Sequence, residues 1–357
     1  MIIQNHFKYY FKQNLPENER LIFVCLLFCY LFLNGCTAPQ TQKSSGIIQA
    51  PELTLSQFIA DDGYRLPLTS FWPDPNITPK GVVLALHGFN DYNQAFEGMC
   101  QFYVAKNLAC IAYDQRGFGG TEMVGIWPEE GRLQKDLQAI VKQLRQQNPH
   151  LPIFLVGESM GGAVIMTAMA DSSLSLEEYV SGVLLYAPAV WARSTQPWYQ
   201  QLSLWIAVHT FPDWMPTGEG LGVQATDNIE ALRAMGRDKK VIKATRIDAI
   251  YGLTNLMDAA LLASKDVSIK TMVFYGDKDQ VIPKKPTCEM LKKMKLIDKS
   301  IVFINYTDGY HMLTRDLQSA RVFNDSLTWI SGTPKAKLRF DALELKKEES
   351  LSYCDEY

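Results

Sequence analysis

The sequence carries no excess of positive charge: 35 Lys and Arg stand against 38 Asp and Glu, a formal net charge of −3 at pH 7. The basic field that holds a nucleic acid backbone is missing, which excludes DNA and RNA as partners. Gly and Pro are not enriched either, at 23 and 17 of 357 residues, while 47% of the chain is hydrophobic. Collagen-like, low-complexity and disordered classes drop out, and a sizeable core is available. Cysteine is sparse and irregular. None of the seven forms a C-x-x-C pair, so neither a zinc site nor a redox motif is expected. The apolar run Leu21–Leu33 is too short for a permanent span, because about 13 helical residues cover about 20 Å of a roughly 30 Å hydrocarbon core. Lys8, Lys12 and Arg20 precede that run, and this is the layout of a secretory signal, so residues 1–35 are expected to be a cleaved signal peptide.

Leu33-Asn34-Gly35-Cys36 resembles the lipobox of bacterial lipoproteins. The resemblance implies that Cys36 carries lipid and holds the protein at a membrane surface of the bacterial cell envelope, since two acyl chains suffice for stable anchoring. A plain secreted or periplasmic protein is the alternative. Cys100, Cys110, Cys288 and Cys354 remain, and buried free thiols are expected for them. An extracytoplasmic site would permit a disulfide without choosing its partners.

After a linker at 36–50, Leu53–Ile59 and Leu66–Phe71 flank the turn-former Asp61-Asp62-Gly63, the pattern of an antiparallel hairpin. Short apolar runs then alternate with helical patterns. The runs are Val82–Leu86, Leu108–Tyr113, Ile153–Val156, Val183–Tyr186, Met272–Tyr275 and Ile301–Ile304. Helices are expected at Ala95–Lys106, Glu130–Gln147, Met160–Ala170, Lys285–Lys295 and Leu317–Ile330. This alternation implies βαβ units and a parallel sheet, an α/β fold. The interval 188–265 is far too long for an ordinary connection and reads as an insertion. Core parts are expected at 51–187 and 266–332, and 333–357 as a charged tail without function.

Gly157-Glu158-Ser159-Met160-Gly161 is a G-x-S-x-G between a buried-strand pattern and a helix, the context of a nucleophile elbow. The elbow forces its serine into a strained backbone, and side chains at Gly157 or Gly161 would collide. A serine hydroxyl needs an imidazole base, itself oriented by a carboxylate. The chain has five histidines. His6 lies in the leader, His150 in a Pro-flanked turn, His209 in the insertion and His87 upstream of the serine. His311, between the last strand and last helix, is the best base. Asp277 or Asp279, after the strand at 272–275, supplies the carboxylate, and the order Ser, Asp, His is that of α/β hydrolases. Oxyanion donors are expected from the backbone N–H of Met160, at a helix start, and of Phe89, after His87-Gly88.

His87-Gly88-Phe89, Tyr113 through Gly119, Gly157 through Gly162, Gly276 through Pro283 and Gly309-Tyr310-His311 together resemble the monoacylglycerol lipase and lysophospholipase branch (serine aminopeptidase S33-type) of the α/β hydrolases. The resemblance covers about residues 50–332. It implies an α/β-hydrolase fold: a mostly parallel eight-stranded sheet with an N-terminal antiparallel hairpin, helices on both faces and an inserted helical cap over the carboxyl edge. It implies the triad Ser159, Asp279 and His311, with Asp279 taken over Asp277 on the G-x-x-D pattern, and an oxyanion hole from Phe89 and Met160. Asp114 and Arg116 are implied to brace loops. The activity implied is hydrolysis of lipid-like carboxylic esters, without cofactor or metal. An esterase or peptidase of small soluble substrates, or an inactive lipid-binding lipoprotein, are the competing readings. Trp198 and Trp205, at i and i+7 with Leu202 and His209 on the same helical face, are expected either to line an acyl tunnel or to pack the cap onto its own core.

Overall fold

Apolar runs without alternation belong to strands covered on both faces. In chain order the strands are β1 (Thr41–Gln42), β2 (Glu52–Leu53), β3 (Gln57–Ile59), β4 (Arg65–Phe71), β5 (Val82–Leu86), β6 (Ala109–Tyr113), β7 (Trp127–Pro128), β8 (Ile153–Glu158), β9 (Gly182–Tyr186), β10 (Thr271–Gly276), β11 (Ile301–Tyr306) and β12 (Leu343–Glu344). The helices are α1 (Glu97–Val104), α2 (Arg132–Gln147), α3 (Met160–Ala170), α4 (Trp198–Thr210), α5 (Ile229–Arg237), α6 (Ile247–Ala263), α7 (Lys284–Lys293) and α8 (Ser319–Ile330). The computed structural model describes residues 38–220, 222–294, 301–332, 343–344 and 353–354, with Pro16 and Ile22. The expected lipid-bearing Cys36, and the expected signal peptide apart from those two residues, lie outside the described residues.

One sheet runs in the order β12-β11-β10-β9-β8-β5-β6-β4-β3-β2. From β11 to β6 every pairing is parallel, and every residue of these strands is buried. Alternate side chains serve two cores. Val82, Leu84 and Leu86 meet Leu137, Val141 and Val164 on one face, while Val83 and Ala85 meet Phe96, Met99 and Tyr103 on the other. This is the α/β-hydrolase fold.

Two differences from expectation raise the strand number from eight to ten. The run Leu53–Ile59 is not one strand, because Thr54 closes a turn: its Oγ1 accepts from Gln57 N at 3.2 Å and its N–H donates to Gln57 O at 2.9 Å. β2 therefore folds back antiparallel on β3, which makes the expected hairpin with β4. The tail supplies the other strand, β12, antiparallel to β11. Further along the tail, Cys354 is buried and bonded to Cys288 on α7. Cys100 and Cys110 form a second disulfide, between α1 and β6. The expectation of free thiols is thus wrong. The fold brings each pair to a Cα separation of 5.2 or 5.5 Å, which ordinary disulfide geometry requires and sequence spacing does not reveal.

Within 188–265, α6 packs Leu256, Met257, Ala260 and Leu261 into the same core as α3, so this helix belongs to the layer beside the sheet. Other parts of the insertion reach the loops at the carboxyl ends of the strands. Its backbone there reaches Asn90 after β5, through Ile242 N at 2.9 Å, and Met312 after β11, through Ala225 O at 2.8 Å.

Candidate active site

Ser159 sits between β8 and α3 with φ 52° and ψ −113°, a backbone that a side-chain-bearing residue adopts only under constraint. The neighbours explain why the flanking positions are glycine. A Cβ at Gly157 would lie 2.5 Å from Gly162 N, and one at Gly161 would lie 2.1 Å from Leu86 O. The turn is therefore closed on one side by the start of its own helix and on the other by β5.

His311 and Asp279 arrive from the loops after β11 and β10. These loops touch: a Cβ on Gly276 would stand 2.4 Å from the Gly309 carbonyl carbon, and Lys278 N donates to Gly309 O at 2.9 Å. His311 Nδ1 donates to Asp279 Oδ2 at 2.8 Å, and both residues are buried. The other carboxylate oxygen of Asp279 accepts from Val281 N at 2.7 Å and Ile282 N at 2.9 Å, which fixes its plane. Asp277, the alternative, is engaged elsewhere: Asn305 Nδ2 donates to its Oδ2 at 2.8 Å and the Tyr353 hydroxyl to its Oδ1 at 2.5 Å.

Burial by itself lowers the His311 pKa, but the Asp279 carboxylate and its hydrogen bond outweigh that effect, with Glu158 adding to them and Arg315 opposing, so the imidazole titrates above its ordinary 6.5. His87 has the opposite character. Its Nε2 accepts from Gln115 N at 2.9 Å, so its Nδ1 carries the proton and donates to Gly88 O at 2.8 Å. Burial pushes its pKa down, and with both nitrogens engaged this histidine is held neutral as a brace.

The loop beginning at Gly88 lies against the serine, since a Cβ at Gly88 would be 3.4 Å from Ser159 Cβ. Phe89 packs its ring on Phe118 and Trp127, at centroid distances of 5.6 and 6.1 Å, which pins its backbone. Met160 is the first residue of α3, where N–H groups have no partner within the helix. Two loop braces surround the site. Asp114 accepts from Asn93 N and Gly120 N at 2.8 and 2.7 Å, and the buried Arg116 bridges Asp62 and Asp136 at 2.8 and 2.6 Å.

Trp198 and Trp205 do not join this group. They are 73% and 55% exposed, and α4 buries only Val208, so they neither line an enclosed tunnel nor pack the insertion onto its own core. The apolar stripe is present, but it faces outward with Tyr199, Leu202 and Ile206. Sequence reading also missed Asp91, Glu158 and Arg315, which meet beside His311 from the loop after β5, the end of β8 and the loop after β11. Nothing in their spacing announces it, because only the folded sheet brings them together.

The family profile of the serine aminopeptidases S33 matches residues 77–318 and so takes in Ser159, Asp279 and His311. The chain belongs to that family. Among relatives of this S33 member, the human monoglyceride lipase is 22% identical over 287 residues, covering 79% of this chain and 91% of the relative. The monoacylglycerol lipase of Mycolicibacterium smegmatis is 25% identical over 293 residues, covering 76% and 95%. In fold, the S33 member resembles a soluble variant of the Saccharomyces cerevisiae monoglyceride lipase, solved with a substrate analog. The TM-score is 0.65 at 20% identity, with 83% of this chain and 99% of that one covered. A thermostable carboxyl esterase from Bacillus coagulans superposes with a TM-score of 0.63 at 16% identity, covering 80% and 99%.

Proposed function

We propose that this protein is a serine hydrolase that cleaves carboxylic esters of lipid-like substrates, of monoacylglycerol or lysophospholipid type, through an acyl-enzyme intermediate. The observation that carries the reading is the His311–Asp279 hydrogen bond of 2.8 Å at the same sheet edge as a serine held at φ 52°. In the proposed reaction His311 Nε2 takes the proton of the Ser159 hydroxyl as its oxygen attacks the ester carbonyl. Asp279 keeps the Nδ1–H tautomer and stabilises the imidazolium. The N–H groups of Phe89 and Met160 receive the oxyanion, each worth about 3 to 4 kcal/mol in the transition state. The alcohol leaves with the proton from His311, and water, deprotonated by the same histidine, releases the acid and restores Ser159.

The lipid part of the reading draws on the relatives, which are named monoglyceride lipases. A panel of esters varied in acyl length and headgroup tests it. Monoacylglycerols or lysophospholipids with medium to long acyl chains are expected to be turned over with higher kcat/KM than acetyl esters. A flat profile from acetyl to lauroyl would favour the small soluble ester instead.

The reading extends to location: a protein of the bacterial cell envelope, anchored through lipid on Cys36. Two disulfides suit an oxidising compartment. The outward apolar side of α4, with Trp198, Leu202 and Trp205, suits a lipid–water boundary. Mass spectrometry of the mature protein is expected to find a lipid-modified cysteine, Cys36, at the N-terminus, and Cys36→Ser is expected to release the protein from membranes. An unmodified terminus downstream of Cys36 would contradict the anchor.

A further inference from the structure

Arg315 lies four residues past His311 and is part-buried, its side chain 14% exposed, with its guanidinium between two buried carboxylates. Its Nη1 donates to Asp91 Oδ2 at 2.5 Å and its Nη2 to Glu158 Oε1 at 2.6 Å. The second oxygen of Glu158 accepts from the Thr314 hydroxyl at 2.5 Å. Nη1 also stands 3.4 Å from Met235 Sδ on α5, in the insertion. The positions of these partners matter. Asp91 is two residues beyond Phe89, Glu158 immediately precedes Ser159, and Thr314 and Arg315 belong to the histidine loop.

We infer that Arg315 is a positioning residue for ester hydrolysis: one guanidinium locks the Phe89 donor loop, the Ser159 elbow and the His311 loop into a single body. The inference rests on the ester-hydrolase reading above. A guanidinium can serve two carboxylates through separate nitrogens, whereas an ammonium is a point charge that lacks the fork. Removing the guanidinium leaves the buried carboxylates of Asp91 and Glu158 uncompensated, so their segments would shift to solvate them. The reacting groups come from exactly those loops' backbones and side chains, and a displacement of about 1 Å can cost about 10²-fold in rate.

The cluster also carries charge to His311. The groups facing that imidazole are Asp279 from the β10 loop and Glu158 from the end of β8. Arg315 faces it from its own loop and brings Asp91 of the β5 loop with it. Glu158 favours the protonated imidazole and Arg315 disfavours it. Activity needs the neutral form, so kcat/KM rises with pH as His311 loses its proton. Removing the Glu158 charge should therefore move the acid limb down, and removing the Arg315 charge should move it up.

The test measures kcat, KM and the pH profile of kcat/KM for a soluble short-chain ester, in the wild type, Arg315→Gln, Arg315→Lys and Glu158→Gln. Arg315→Gln is expected to lose about 10²-fold in kcat with KM little changed, and Arg315→Lys to recover only part of it. The acid limbs of Arg315→Gln and Glu158→Gln are expected to shift in opposite directions. A folded Arg315→Gln with wild-type kcat, or limbs that move together, would overturn the inference. If Arg315→Gln does not fold, the near-isosteric Glu158→Gln decides, and wild-type kcat with an unmoved limb in that variant would overturn it. A wild type inert toward all esters would overturn the ester-hydrolase reading and this inference with it, whereas an active wild type with insensitive variants overturns the role of Arg315 alone.

Discussion

Ser159→Ala is expected to lower ester turnover by about 10⁴- to 10⁶-fold, because nucleophile, base and carboxylate act as one unit and losing the first leaves little for the others to do. The fold should survive the change. Alanine lacks only the hydroxyl, and the backbone of residue 159 is held by bonds the side chain does not make: its N–H donates to Tyr186 O at 2.9 Å and its carbonyl accepts from Ala189 N at 2.9 Å. Steady-state assays at high enzyme concentration, with circular dichroism as a control for folding, check this. A well-folded Ser159→Ala within an order of magnitude of wild type would remove Ser159 from the reaction.

The next largest effect is expected at Asp279. Asp279→Asn should cost about 10⁴-fold in kcat, as the loss of this carboxylate does in other Ser-His-Asp hydrolases, because an amide favours the wrong imidazole tautomer. Asp277→Asn should change kcat little. Its carboxylate holds Asn305 and Tyr353, so the damage should fall on the packing of residues 353–354 and be read as a lowered melting temperature. Measuring kcat and melting temperature for both variants separates the roles. Large losses of kcat in Asp277→Asn with a mild Asp279→Asn would reverse the assignment.

How much of this was legible beforehand depends on the range of the interactions. α3 begins at Met160 and ends at Ala170, as the pattern predicts, because a G-x-S-x-G turn between a buried strand and an apolar helix is a local signal. Val82–Leu86 is likewise read directly from its unbroken apolar run. The choice between Asp277 and Asp279 could not be read from the residues, which lie two apart in one loop; only the resemblance favoured Asp279. In the fold, Asp279 bonds His311, 32 positions away, while Asp277 is held by Asn305 and Tyr353, 28 and 76 positions away. The Cys288–Cys354 disulfide escaped for the same reason, since it joins positions 66 apart. Trp198 and Trp205 show the complementary limit: periodicity places them on one helical face but says nothing of whether that face turns in or out. The junction of Asp91, Glu158 and Arg315 exists because β5, β8 and β11 end at one edge of the sheet, which follows from strand order and not from any motif.

Trapping the acyl-enzyme tests the central claim most directly. The purified protein would be mixed with a slowly deacylating p-nitrophenyl ester, quenched in acid within the burst and digested for peptide mass spectrometry. The expected result is one acyl group per protein, on the peptide and the residue Ser159, absent from Ser159→Ala. Acylation at another residue, or hydrolysis with no covalent acyl intermediate at any quench time, would contradict the account.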